Sequence, residues 1–205
     1  MSKFLYAFLV IFAAQVSLGV ALASDEGFSP SGEMQLPKIG TQFNFRRVHG
    51  VLGSKEDSKD GPLVHVILEA GLTGTSVKVE EVIPGTPGEK VLYPLSDLVL
   101  PLVVGKQWSG ELVTHGIQGD LTRSYNYTVK GEEEFVVEAS SERLKVFRIE
   151  GGGYYAQRSV ETPDIARTPY TRTIWFSPKL GYYVRVDWSF RRSRYSFSLM
   201  EYVLP

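Results

Sequence analysis

Thr171-Arg172-Thr173-Ile174-Trp175-Phe176-Ser177-Pro178-Lys179-Leu180-Gly181-Tyr182-Tyr183-Val184-Arg185 reads as two strands joined by a tight reversal. Pro178 presets φ for a turn, and Gly181 can take the left-handed backbone that closes one. The strand that leaves carries on as Val184, Val186, Trp188 and Phe190 alternating with Arg185, Asp187, Ser189 and Arg191. A period of two means one buried face and one wet face. Arg191-Arg192-Ser193-Arg194 then reads as the turn of a last hairpin.

The same period recurs upstream. Phe43 and Phe45 alternate with Asn44 and Arg46, and Val77 and Val79 with Lys78 and Glu80. Tyr125, Tyr127 and Val129 alternate with Asn126, Thr128 and Lys130. Val64, Val66 and Leu68 alternate with His65 and Glu69, which puts His65 on the wet side, although Ile67 makes this strand apolar on both phases. Leu144 to Ile149 is apolar on both phases and suits a central strand. The expectation is an all-β, mainly antiparallel domain of roughly 10 to 12 strands, built as a curved open sheet, half-barrel or sandwich. Gly131 reads as a tight reversal, and Gly151-Gly152-Gly153 as a break between strands. Ser54 to Gly61 and Pro84 to Gly88 read as surface loops. Leu95 to Val104 is the one segment that could start a short helix, limited by Pro94 and Pro101.

The first residues have a different character. Lys3 precedes the apolar run Phe4 to Ala14, and Ala21-Leu22-Ala23 supplies small residues before Ser24. This is the three-part pattern of a secretory signal peptide, with cleavage expected after Ala23. The apolar run is shorter than the roughly 18 residues of a spanning helix, and no later segment is a candidate span. The expected organisation is a signal peptide over 1–23, a flexible leader over 24–37 and a β-rich domain over 38–205, in the periplasm or secreted. The chain has no cysteine, so disulfides, thiolate metal sites, cysteine nucleophiles and a lipid-modified cysteine are excluded. A domain of about 180 residues buries roughly 70% of its unfolded surface and needs no staples. A formal charge of −1 makes no case for nucleic acid.

Gly40-x-Gln42-Phe43 is echoed by Gly105-x-Gln107-Trp108, and each is followed by a His-Gly pair, His49-Gly50 and His115-Gly116. The echo fits duplicated half-domains with a seam near 95–102, or two strand openings of like chemistry.

Tyr93-Pro94-Leu95, Gly105-Lys-Gln-Trp108, Tyr127-Thr-Val-Lys-Gly131-Glu, Phe147-Arg-Ile-Glu150 and Trp175-Phe-Ser-Pro178-Lys-Leu-Gly181-Tyr-Tyr183 occur in an order that resembles the β-rich domains of bacterial envelope proteins, many of them domains of unknown function. The resemblance covers roughly the last half of the chain. Ser140-Ser141-Glu142-Arg143 stands where the family often has a Pro-Ala-Gly-Thr-like turn. By shape such domains are similar to the curved sheets of lipoprotein carriers, which implies a concave apolar face and no catalytic residue to carry over.

Catalytic and cofactor motifs are missing. The three histidines show no metal-ligand spacing, and His49 and His115 read as surface or turn positions. There is no Gly-x-Ser-x-Gly elbow and no phosphate loop. Two features remain. Aromatics crowd the last strands, and arginines cluster near the end. Candidate contact residues are Trp108, Trp175, Tyr183, Trp188, Arg191, Arg192 and Arg194, with no catalytic residue, metal or cofactor. The expected function is non-enzymatic binding of an apolar molecule or lipid, or of another envelope protein. A second reading is an assembly factor that uses sheet edges. A third is a glycan-active enzyme using two of Glu150, Asp164 and Asp187.

Overall fold

Alternating polarity becomes strand over most of the chain. The computed structural model describes residues 36–51, 57–58, 61–70, 76–82, 89–94, 98–116, 119–158 and 166–205. The expected signal peptide, its cleavage site and nearly all of the expected leader lie outside them, as do the expected loop Pro84 to Gly88 and Asp164. The strands are β1 (Gln42–Val51), β2 (Asp57–Ser58), β3 (Leu63–Ala70), β4 (Ser76–Val82), β5 (Glu89–Pro94) and β6 (Gln107–Gly116). They continue as β7 (Gly119–Val136), β8 (Arg143–Arg158), β9 (Ala166–Ser177), β10 (Tyr182–Phe190) and β11 (Ser193–Val203). No helix occurs among the described residues.

All eleven strands join one open sheet in the order β5-β4-β3-β1-β11-β10-β9-β8-β7-β6, with β2 beside the end of β1. Every pairing is antiparallel. The topology is two meanders: β1 to β5 steps out to one edge, and β6 to β11 starts at the other edge and returns to pair with β1. The expected fold class is the one observed.

The sheet curls. Neighbouring strands lie about 4.8 Å apart, so strands three places apart would be roughly 14 Å apart if flat. Yet His65 of β3 places Nδ1 3.1 Å from the Tyr182 hydroxyl and 3.0 Å from the Tyr183 hydroxyl of β10. At the same end of the strands, the β7–β8 turn reaches β11, where the Ala139 amide donates to the Met200 carbonyl at 2.9 Å. Arg46 pairs with Glu138 across the same closure. The inside of the curl holds the core: Phe43, Phe45, Leu63, His65, Ile67, Tyr182, Val186 and Leu199 on one side, and Tyr127, Val129, Ile149, Ile174 and Phe176 on the other.

The turn at Pro178–Gly181 forms as expected. Gly181 has φ 62° and its amide donates to the Ser177 carbonyl at 2.9 Å. Arg191, at φ 56°, and Arg192 form the β10–β11 turn between Phe190 and Ser193.

Five local expectations are corrected. Gly131 is a bulge within β7, at a register shift against β8, because an extra residue can be absorbed without reversing the strand. The three glycines do not break a strand; they lie inside the 16-residue β8. There the neighbouring backbones come so close that a Cβ on Gly151 would meet the Asn126 carbonyl oxygen at 2.0 Å. His65 is fully buried and Val64 and Val66 are only half-buried, so β3 takes the opposite phase to the one expected. With Ile67 making both phases apolar, the pairing of His65 with Phe43 decided it. His49 is not a turn residue: β1 runs through it to Val51, and it sits half-buried across from Tyr195. Residues 98–104 form no helix. Leu98 and Leu102 pack into the core from an irregular segment, and the Lys106 ammonium donates to the Val99 and Pro101 carbonyls at 2.7 and 2.8 Å.

Candidate functional site

In an antiparallel ladder, directly paired residues share a face. From Val186 onward β10 turns Trp188 and Phe190 to the inside of the curl. Trp188 pairs with Tyr195 of β11 on one side and Arg172 of β9 on the other. Tyr195 pairs in turn with His49 of β1. The rings meet: His49 stacks on Tyr195 at 4.5 Å and 7°, and Tyr195 on Trp188 at 5.2 Å and 30°. Trp188 then approaches Tyr155 of β8 at 6.1 Å, and Tyr155 meets Phe190 edge-on at 5.2 Å and Tyr170 at 4.8 Å. Such separations are those of favourable aromatic pairs.

The strip therefore crosses five adjacent strands of the concave face. His49, Tyr155, Trp188, Phe190 and Tyr195 are all half-buried, unlike the sealed rings of Phe43, Phe45 and Tyr182. Tyr170 is the buried end of the strip, and its hydroxyl donates to the Ser124 carbonyl at 2.9 Å. Burial, reinforced by the neighbouring Tyr127, pushes that hydroxyl far above the ordinary tyrosine range. The Trp188 Nε1 atom is buried and donates to nothing among the described residues. Beyond the strip, Trp108 of β6 packs on Tyr127 at 5.8 Å, and Tyr125 lies over Gly110, where a Cβ would meet its hydroxyl at 2.4 Å.

The other expected contact residues do not converge there. Tyr183 belongs to the buried His65 cluster, its ring 4.3 Å from Tyr182. Trp175 faces the outside of the curl. Its Nε1 donates to Glu133 Oε2 at 2.9 Å, and the Arg185 guanidinium covers its ring at 4.7 Å. Arg191 and Arg192 are exposed in the turn, and Arg194 is exposed across from Ser189, on the outer face. Trp108 and Trp188 thus share the concave face, while Trp175 and the clustered arginines stand away from it. Tyr155, Phe190 and Tyr195 were visible in the sequence as aromatics, but their convergence on His49 depends on register between distant strands, which no local pattern encodes.

The outer face carries the carboxylates. Glu150 pairs across to Thr173, and Thr173 to Asp187, so the two acids flank one threonine. Arg148 Nε holds Glu150 at 3.4 Å, while Asp187 takes Arg185 Nη2 at 2.7 Å and the Ser196 hydroxyl at 2.6 Å. A shallow polar groove of about 510 Å³ runs beside Glu150, lined by Asn126, Thr128, Lys130, Thr171 and Thr173. No three acidic or histidine side chains among the described residues are grouped to hold a metal ion.

No protein-family model and no curated protein sequence matches the chain. Three solved structures resemble it. One is a protein of Bacteroides fragilis assigned as exported, with a YmcC-like fold: TM-score 0.48, 11% identity, covering 82% of this chain and 97% of that one. The second is assigned as a lipoprotein of Parabacteroides distasonis: TM-score 0.44, 10% identity, 82% and 97%. The third is the hypothetical lipoprotein YmcC of Escherichia coli: TM-score 0.41, 9% identity, 80% and 85%.

Proposed function

We propose that this chain is an exported, non-catalytic binding module that takes an apolar ligand on the concave face of its sheet. One observation carries the reading: a continuous strip of incompletely buried rings with Trp188 at its centre, on the face that elsewhere is a sealed core. A fold gains by burying such rings, at roughly 25 cal/mol per Å² of apolar surface, so a row left only partly buried suits a surface that something else covers. Small-ligand sites are lined mainly by apolar and aromatic side chains, and the strip supplies side chains of that kind. Export rests on residues 1–23, whose charge, apolar run and small residues have the order of a signal peptide.

The test is to secrete the protein into a bacterial periplasm, purify it without detergent, and analyse the organic extract by mass spectrometry beside a Trp188→Ala variant. A stoichiometric apolar compound in the wild type, depleted in the variant, is expected. Equal extracts from the two proteins, or none from either, would overturn the reading.

A further inference from the structure

β6 lies at one edge of the sheet and pairs only with β7. The ladder fixes which of its backbone groups face outward. The Val129 amide of β7 donates to the Lys106 carbonyl at 2.9 Å, and the register sets Trp108 against Tyr127. In an antiparallel strand, successive residues turn their N–H and C=O groups to opposite sides. Lys106, Trp108, Gly110 and Leu112 therefore face β7, and Gln107, Ser109, Glu111 and Val113 present their backbone groups to the open edge. All four of these are exposed.

An open edge is a template for another strand, and sheets commonly blunt it with a short strand, proline, lysine or a bulge. The other edge strand, β5, is six residues long and ends in Pro94. β6 runs for ten residues with no proline, no lysine and no register shift against β7. An internal precedent shows what fits such an edge. β1 opens as β6 does: Gly40 and Gly105 share φ 86°, and the Ile67 and Val129 amides donate to the Thr41 and Lys106 carbonyls at 2.9 Å. By the same alternation, Gln42 and Asn44 turn away from β3 as Gln107 and Ser109 turn away from β7. On β1 that side holds β11, in antiparallel register. On β6 the equivalent side holds no strand among the described residues.

We infer that the open edge of β6 pairs with β6 of a second copy of this chain, antiparallel about a two-fold axis at Gly110. That register sets Gln107 against Val113 of the second copy, Trp108 against Leu112, Ser109 against Glu111 and Gly110 against itself. Directly paired residues share a face, so Trp108 meets Leu112 on the concave face, an aromatic–aliphatic pair of the kind that stabilises a sheet. Glu111 is the one Asp, Glu, Lys or Arg of β6, and it faces Ser109 rather than its own mate. Moving the axis to Glu111 would bring the two carboxylates together, whereas Gly110 places no side chain at the centre. A β6–β6 pair also closes on itself, while β6 against β5 of another copy would run on as an open chain of molecules. The pairing does not depend on the binding reading above.

The test is sedimentation equilibrium of the secreted protein over a wide range of concentration. A dimer that dissociates on dilution is expected. Glu111→Pro removes an N–H that β7 does not use, and the symmetry takes two hydrogen bonds from the interface, so association should weaken by about tenfold or more. Charge tests the register. Ser109→Glu sets like charges opposite each other and should weaken the dimer. Ser109→Lys sets an ammonium opposite Glu111 and should hold or tighten it, although lysine on an edge ordinarily discourages pairing. The Ser109 variants leave the β7 ladder intact and decide the matter if the proline variant does not fold. A monomer at every concentration would overturn the inference. So would a dimer that none of these variants alters, a dimer that both Ser109 variants weaken alike, or a different polypeptide bound in stoichiometric amount and lost in Glu111→Pro. Assemblies that keep growing with concentration would overturn the two-fold pairing in favour of head-to-tail stacking of edges.

Discussion

His65 is an expensive residue to bury, and it is buried completely. Its cost is offset by two hydroxyls within 3.1 Å, those of Tyr182 and Tyr183, the first donating to the second at 3.2 Å. Phe43 stacks on Tyr182 at 4.7 Å and Phe45 lies 5.2 Å from the imidazole, so the polar triad sits in an aromatic box. Polar groups inside a core are tolerable only when bonded, and such bonds are directional. The triad therefore favours one alignment of β3 against β10, where apolar contacts alone would accept several. Tyr183→Phe keeps the ring and removes one of the three hydrogen-bonding groups. It should cost about 1 kcal/mol in urea or guanidinium unfolding, within the roughly 0.5–1.5 kcal/mol of a single bond. A variant as stable as the wild type would show that the Tyr183 hydroxyl is dispensable.

At the scale of elements, the long β7–β8 pair shows two uses of glycine. Gly151 allows a backbone approach that no side chain permits, since its Cβ would lie 2.0 Å from the Asn126 oxygen and 2.5 Å from the Tyr127 ring. At Gly131 an added Cβ would meet nothing within 4 Å. Gly151→Ala should thus destabilise by about 1–3 kcal/mol, as overpacking does, while Gly131→Ala should stay within about 0.5 kcal/mol of the wild type. Parallel thermal melts check the pair, and similar losses at both sites would contradict the close approach. The two strand openings are built alike as well. Gly40 and Gly105 both have φ 86°, and their amides donate to Ile67 and Val129 at 2.8 Å each. Ile67 and Val129 then donate back to Thr41 and Lys106 at 2.9 Å. The sequence echo of Gly-x-Gln-aromatic is an echo in hydrogen bonding.

At the scale of the molecule, one carboxylate ties three distant pieces of the sheet together. Glu142, in the β7–β8 turn, accepts from Lys179 of the β9–β10 turn at 2.6 Å and from the Tyr202 hydroxyl of β11 at 2.7 Å. The Lys179 and Tyr202 bonds hold the Glu142 carboxyl below its usual range, while burial and then the Glu142 carboxylate push Tyr202 up to about 12. The Glu142 contribution is full above the ordinary carboxylate pKa and is lost as pH falls through the lowered one. Tyr202 acts at the other extreme. The fold favours its neutral form, so its contribution is full below about pH 10 and disappears as pH rises to about 12. Melting temperature against pH should therefore fall more steeply between pH 10 and 12 for the wild type than for Tyr202→Phe. Superimposable alkaline limbs would remove Tyr202 from the latch. On the acid side, Glu142→Gln should flatten the loss of stability that the wild type shows as pH drops below about 4.5.

Much of this molecule is written in short stretches of its sequence. The period-two alternation of β1, β7 and β10, the Pro178–Gly181 reversal and the Arg191–Arg192 turn are local, because strand faces and turn dihedrals are settled by residues a few positions apart. The places where local reading went astray share a cause. Gly131, the Gly151–Gly153 run and His65 each have a locally reasonable meaning, a turn, a break and a wet face, which a partner strand from elsewhere in the chain replaced. The candidate site is of the same kind. That Trp188 and Phe190 share a face follows from their spacing. That His49, Tyr155 and Tyr195 come to them, with the acids turned outward, follows from register between strands far apart in the chain, which is decided only when the whole sheet pairs and curls.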